Sequence, residues 1–533
     1  MDPSLFEMQP VPVTTWAIMS SLLMLALFFK FNRFWSVRNF DLLLIILLAP
    51  GMLMVQKGIE LAAQSRLSQG QDNLSSSSAL DGEDLRTELS PSTGRSGDAE
   101  STAVDRQRDR ASQSLPSENL SELTGTDLRI MPPGSASGEV NPFKTPAART
   151  QRWGYCWLFV VTLLFLIRML IDPNLIRRPL LDPNLNSGGL IFLGISLMAF
   201  LFTDIVVSRP SPQELRGMRD AVRLMQRRAA DEGDAEQLIR QGPGYWLFNA
   251  VSLISTAESG GALLQIDPDE SEQLTRYVIA AKSLAITCQV LIVLGLVWFC
   301  RINFDSFNIG VGLATIYLMT PYTTLFTGQA LHTLPAALMV WSLVCFRRPW
   351  LAGILMGLAT GVSYYPIFLL PLWSSFYWDR GAKPFLLGVA ISLGIGVLGQ
   401  IFTSPDLTFF LYQVRKMFGF LWPRTEGLEG IWALGWSYWY RLPLLVAHIA
   451  LSISFIFWPS EKNLGTLIAY SAALMAAVQF WLGFGGGLHV AWYLPLALLV
   501  FFRPNLSGKV ALTELNERNW RVRAETAEDL IPS

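Results

Sequence analysis

Three groups of residues in this chain have types and spacing that suit chemistry, and each stands at the edge of an apolar run. Gln329 and His332 open the run that follows TPYTTLFTG; three positions apart, they share one face of a helix. Pro321 closes the preceding run and Gly328 allows a tight turn, so the pair reads as two hydrogen-bonding groups at a cavity mouth, or as ordinary polar residues at a helix end. The stretch 403–430, TSPDLTFFLYQVRKMFGFLWPRTEGLEG, interleaves Phe409, Phe410, Tyr412, Phe418, Phe420 and Trp422 with Arg415, Lys416 and Arg424. Aromatics that sit at headgroup depth, beside cations that hold phosphate, would make a lipid-phosphate dock. Arginine suits that task because its fork donates two parallel hydrogen bonds. The plainer alternative is an interfacial helix with snorkelling cations. His489 follows GFGGG at 483–487, where glycines let the backbone approach something closely or simply make a flexible turn.

A transfer reaction would also need a general base, a carboxylate near an acceptor hydroxyl. Glu258, Asp267, Asp269, Glu270, Asp406, Glu426 and Glu429 lie in suitable segments, but no spacing singles one out, and the catalytic residue stays unassigned. There is no nucleotide-binding glycine loop after a strand, no Ser/His/Asp arrangement and no metal-ligand spacing. Cys156, Cys288, Cys300 and Cys345 all lie in apolar stretches and read as free thiols. No cofactor and no metal are expected.

The elements that must position these residues follow from composition. The 533 residues are 51% hydrophobic and only 16% charged, against about 25% charged in a soluble domain. The charges are gathered into a few windows, the pattern a bilayer imposes. A net charge of −1 gives no field to attract nucleic acid. A helix needs about 20 apolar residues to cross the hydrocarbon. Runs near that length lie at 14–29, 40–56, 153–171, 189–207, 277–300, 304–321, 329–345, 385–402, 439–458, 464–482 and 488–502. The expected fold is therefore an all-α polytopic membrane protein with about 11 transmembrane helices. The first run is preceded by acids and followed by Lys30, the reverse of a cleavable signal.

Short basic loops stay cytoplasmic. Lys30, Arg33 and Arg38, then Arg177 and Arg178, Arg347 and Arg348, Lys462, and the tail after Arg503 all fall on one side if the runs alternate. Alternation holds only if 350–377 turns back. Gly361 and Pro366 weaken helix continuity there, so a re-entrant or broken pair, 350–361 and 364–377, is expected. Irregular backbone at that depth needs protein or a water-filled cavity beside it.

The chain divides into two N-terminal spans (1–56), a long disordered Ser-rich extramembrane insert (57–152), two further spans (153–207), a charged extramembrane helix with an interfacial segment (208–276), a large membrane region (277–503) and a polar cytoplasmic tail (504–533). Residues 63–142 contain no Phe, Tyr or Trp and lack the apolar surface to offset ordering entropy. The charged helix after Ser208 has mixed sign and reads as a solvated face, and 245–264 reads as interfacial or re-entrant. DPNL, repeated at 172–175 and 182–185, makes a turn-rich loop. Arg168 and Asp204, both near span ends, stand out as charges within spans.

The segment PYTTLFTGQALHTLPAALMVWSLVCFRRPWLAGILMGLATGVSYYPIFLLPLW, 321–373, resembles the membrane-embedded C-type glycosyltransferases. It is most similar to the bacterial mannosyltransferase-like family that uses polyprenyl-phosphate sugars. The likeness rests on Gly328–Gln329 at the head of a span, the basic turn Arg347–Arg348, the Ala-Gly-x-x-x-Gly run at 352–357 and the step Tyr365–Pro366. GGGLHVAWYLPLALLVF at the end resembles the last span of that family, and the likeness covers roughly 277–503. It implies a helical enzyme of the bacterial inner (cytoplasmic) membrane with an outward-facing site. The donor would be a polyprenyl-phosphate sugar, the partners membrane lipid. Gln329, His332, Arg415, Lys416, Arg424 and His489 would bind substrate. Relatives place an acidic base in the first outer loop and often a Lys three residues before the Pro. Here Ser363 holds the latter position, and Glu60 is the only early acid beside a span. A transporter or lipid flippase, and a non-catalytic membrane scaffold, are the competing expectations.

Overall fold

The computed structural model describes residues 12–87, 145–175, 181–225, 242–256, 270–378, 381–403, 406–408, 410–411, 428–459, 462–506 and 508–511. Among these the fold is entirely helical. The N-terminal half contributes α1 (Val13–Phe28), α2 (Val37–Ile46), α3 (Leu48–Thr87), α4 (Pro146–Ile171) and α5 (Ser187–Val207), then α6 (Pro212–Met225) and α7 (Tyr245–Thr256). The rest comprises α8 (Glu270–Asn303), α9 (Phe307–Met319), α10 (Pro321–Phe326), α11 (Ala330–Val344), α12 (Pro349–Val362), α13 (Leu370–Phe376), α14 (Ala382–Thr403), α15 (Arg441–Phe457), α16 (Leu464–Trp481) and α17 (Leu494–Phe501).

Every apolar run of the sequence forms helix, but not every one is long enough to cross a bilayer. Among the described residues seven stretches are: Val37–Ser68, Pro146–Asn174, Ser187–Val207, Gln273–Asn303, Ala382–Ile401, Tyr438–Phe457 and Leu464–Trp481. α1, α9 and α11 have 16, 13 and 15 residues, and α17 has 8. At 1.5 Å per residue these are shorter than the hydrocarbon is thick, so among the described residues seven of the expected eleven spans are matched by helices of membrane length. α16 is the hub: 94% of its apolar window is buried, against 22% for α5. Ile191, Phe192 and Ile195 on α5, and Leu387, Ile391 and Ile395 on α14, are exposed apolar side chains, the surface that lipid would cover.

Basic turns gather at one end. Lys30 pairs with Asp182 at 3.1 Å, Arg38 donates to the Asp182 carbonyl at 2.6 Å, Lys509 donates to the Asn303 carbonyl at 2.8 Å, and the Leu464 amide donates to the Lys509 carbonyl. Arg168, noted in the sequence as a charge near a span end, belongs to a network. Its Nε and Nη2 donate to Asp41 at 2.7 and 2.8 Å, and its Nη1 to Asp172 at 3.0 Å. Arg503 completes the chain onto Asp172 at 2.7 Å. Four charges from α2, α4, the turn after α4 and the end of α17 neutralise one another in the interior, with the Arg168 guanidinium 5.3 Å above the Phe501 ring. The partners are far apart in sequence, which is why periodicity did not reveal them.

The segment 349–377 turns back. α12 stops at Val362, Tyr365–Leu369 continues as a 3₁₀ turn, and α13 returns. Tyr377 Oη donates to the Phe346 carbonyl at 2.6 Å, and Gly381 lies against Pro349, so both ends of the segment meet. α14 then rises parallel to α12. A Cβ on Gly353 would come within 2.1 Å of the Phe385 carbonyl oxygen, and one on Gly388 within 2.3 Å of that of Trp350. Small residues at spacing four allow this backbone approach, so Gly353 and Gly357 serve packing here. The free C-terminal carbonyls of α12 are met by a loop from another segment: the Gly244 and Gly242 amides donate to Gly361 and Val362 at 2.7 and 2.8 Å.

Two polar segments differ from expectation. α3 runs on as helix through Thr87, past residue 57 where the insert begins; Glu60, Leu61, Ala62, Ala63 and Gln64 are good helix formers. Residues 88–144 lie outside the described residues. α6 is not merely a solvated face, because Glu214, Met218 and Ala221 are at most 1% exposed. That i, i+4, i+7 stripe packs on α7 and α8.

Candidate functional site

At the end opposite the basic turns, α10 and α11 meet the loop before α17. α11 begins at Ala330 with Gln329 as its N-cap, yet the Gln329 side chain makes no capping bond. Glu214 of α6 does that work from outside: Oε1 accepts from the Leu331 amide at 3.3 Å and Oε2 from the Tyr245 hydroxyl at 3.0 Å. A carboxylate on a helix N-terminus is favoured by the unpaired amides there. Burial nevertheless pushes the Glu214 carboxyl up to about 7, with the Leu331 and Tyr245 bonds pulling the other way. Sequence reasoning missed Glu214 because its helix carries charges of both signs.

His332 is 8% exposed and does not face the cavity described below. Its Nδ1 lies 2.7 Å from the Tyr322 hydroxyl, its ring stacks on Phe326 at 4.5 Å, and its other face stacks on His489 at 4.4 Å with the planes 2° apart. His489 is held from behind: Gln479 Oε1 accepts from the Gly487 and His489 amides at 3.1 and 3.2 Å. Gly485 and Gly487 have φ of 61° and 91°, a conformation that only glycine adopts without strain, and so the GFGGG run makes this tight turn.

Gln329 faces a cavity of about 220 Å³. Its polar wall includes Asp204, Arg209, Lys282 and Gln56; its apolar wall includes Met52, Val55, Ile205 and Phe326. Asp204 stands at the end of α5 and Arg209 just beyond it. Lys282, one turn into the apolar part of α8, is anchored by donating to the Val206 carbonyl at 2.6 Å. A carboxylate and two cations thus share one hollow between oily walls, an arrangement able to hold an anionic headgroup and to take up a proton.

The structure therefore brings together Gln329, His332 and His489 of the predicted set. Arg415, Lys416 and Arg424 lie outside the described residues, as do Glu258, Asp267, Asp269 and Glu426. The chain re-enters at Leu428 beside this end, where the Glu429 amide donates to the Gly483 carbonyl at 2.8 Å. Arg209 and Lys282 were not singled out in the sequence; Arg209 stands just past one apolar run and Lys282 within the first turns of another, a signal shared with many snorkelling residues. No cluster of His, Cys, Asp or Glu suited to a metal occurs among the described residues. No family model, no curated protein and no solved structure matches this chain, so the functional reading rests on this geometry and on the sequence alone.

Proposed function

We propose that this chain is an integral membrane glycosyltransferase that moves a sugar from a polyprenyl-phosphate donor to an acceptor hydroxyl on the non-cytoplasmic face. The observation that carries the reading is the cavity in which Asp204, Arg209 and Lys282 meet beside Gln329. Taking the turns that hold Lys30, Arg38 and Lys462 as cytoplasmic by the positive-inside bias would put this cavity at the outer end. Arg209 and Lys282 suit the donor phosphate, and the wall of Met52, Val55 and Ile205 suits the first isoprene units. Asp204 takes the proton of the acceptor hydroxyl as its oxygen bonds to the anomeric carbon. The bond from that carbon to the phosphate oxygen breaks, and the polyprenyl phosphate leaves with the electron pair.

Transfer of a radiolabelled hexose from a polyprenyl-phosphate donor, measured in proteoliposomes, tests this. Asp204→Asn is expected to lower turnover by roughly 10²- to 10⁴-fold, the usual contribution of a general base. Lys282→Met should raise the donor concentration needed for half-maximal rate. Wild-type protein that turns over no hexose donor, or an Asp204→Asn variant with full activity, overturns the proposal.

A further inference from the structure

All three histidines of the chain fall in one neighbourhood, beside several buried donors that have no partner. Beyond His489, at 4.3 Å ring to ring, stands Trp492; Trp492 meets Tyr365 at 5.2 Å, Tyr365 meets Trp481 at 5.6 Å, and Trp481 meets His448 at 5.8 Å. Trp481, Trp492 and His448 are 3%, 2% and 3% exposed. Yet the indole N–H of both tryptophans and both ring nitrogens of His448 have no hydrogen-bond partner. Gln479 Nε2 and Ser363 Oγ, buried beside them in sequence, have none either. Buried indoles at other positions are of both kinds: Trp373 donates to Ser471 at 3.0 Å and Trp432 to the Leu482 carbonyl at 3.0 Å, while those of Trp16 and Trp246 also lack a partner. An orphaned buried polar group costs about 1–3 kcal/mol, so a cluster of them calls for an occupant.

The chemistry of the occupant follows from the cluster. Indole and amide N–H groups only donate, so the occupant must present oxygens. Flat aromatic faces must be covered by apolar C–H surface. A pyranose ring offers both, hydroxyls at its rim and C–H groups on its faces. Water would satisfy the donors but gains nothing from three aromatic rings. Tyr365 and Arg441 are half-buried and form the edge of the cluster nearest the surface. The Arg441 Nε bond to the Trp481 carbonyl at 3.0 Å fixes that rim to the C-terminus of α16.

Resting on the glycosyl-transfer reading above, we infer that Tyr365, Trp481, Trp492 and His448 form a saccharide subsite of this protein, adjoining the stacked His332–His489 pair through Trp492. This site takes a hexose ring, brought in on the polyprenyl donor or carried by the acceptor.

Equilibrium binding to the full chain in lipid nanodiscs tests it, with three probes: a polyprenyl-phosphate hexose, the same polyprenyl phosphate without sugar, and a short alkyl hexoside. The sugar-bearing donor should bind on the order of tenfold more tightly than its sugar-free counterpart, as one or two hydrogen bonds and a stacked ring would give. Trp492→Phe and His448→Phe should each reduce that preference while leaving sugar-free binding unchanged. Trp481→Phe serves as a third variant where circular dichroism and elution volume show the fold kept. An alkyl hexoside that binds and loses affinity in the same variants assigns the ring to the acceptor; preference confined to the polyprenyl-linked sugar assigns it to the donor. Equal binding with and without sugar, or a preference untouched by the variants, overturns the subsite. Turnover without sugar preference would remove the subsite and spare the enzyme reading; sugar preference without turnover would do the reverse.

Discussion

Two buried polar clusters, one toward each end of the bundle, are satisfied to opposite degrees. At the end where basic turns collect, Asp41, Arg168, Asp172 and Arg503 form a closed chain of bonds between 2.7 and 3.0 Å. At the other, His448, Gln479, Trp481 and Trp492 carry donors with nothing to receive them, and Asp204 stands half-buried in a hollow. A satisfied network stiffens and specifies a fold; an unsatisfied one stores a penalty that only an occupant relieves. The first end reads as framework and the second as workplace, although the framework holds the larger share of deeply buried charge.

The sharpest way to break that contrast is to cut the closed end. Arg168→Met leaves two buried carboxylates without their shared partner and should destabilise by about 3–5 kcal/mol, read as a large drop in thermal midpoint in detergent. Little loss would mean that water reaches this network and that it is no framework.

Glu214 is the intermediate case, a buried carboxyl that caps a neighbouring helix. Glu214→Ala strands the Leu331 amide and the Tyr245 hydroxyl and should cost about 1–3 kcal/mol. Glu214→Gln keeps an acceptor for Leu331 and a donor for Tyr245, so it should cost much less. Because burial raises the folded-state value from 4.5 to about 7, the stability contributed by this group is full below 4.5 and is lost as pH rises through 7. The wild-type midpoint should therefore fall between pH 5 and 8 by more than that of Glu214→Gln. Parallel curves would place the titration elsewhere.

The smallest effect is expected at the open end. His448→Leu removes two unpartnered nitrogens while keeping an apolar side chain between Phe368 and Trp481, so stability should change by less than about 1 kcal/mol or rise. A loss as large as that of Arg168→Met would erase the distinction between the two ends.

How much of this was legible beforehand follows the range of each interaction. Hydropathy is local, so the helices emerged within a few residues: 189–207 became Ser187–Val207 and 464–482 became Leu464–Trp481. The turning back of 350–377 was also readable, because Gly361 and Pro366 act on their own backbone. Gln329 and His332 were noticed by type, but helical spacing alone could not tell that one faces a cavity and the other a stack of rings. Glu214 and the Asp41–Arg168–Asp172–Arg503 chain were invisible, since their partners sit on other helices and periodicity carries no record of them. The saccharide subsite draws on four separate stretches around residues 365, 448, 481 and 492. Trp481, Trp492 and His448 simply fell within apolar runs, and Tyr365 drew notice only for its step to Pro366.

The amides of Gly242 and Gly244 reach the last carbonyls of α12 from a stretch of chain that is synthesised long before it. During biogenesis that turn has to wait near the membrane surface until the half-crossing helix arrives and is stoppered. Until then the exposed carbonyls of α12 face either hydrocarbon or the insertion machinery, neither of which can donate as well. That pair of glycines thus ties the end of α12 to an earlier stretch of chain, and an epitope inserted between them should lower the yield of folded protein.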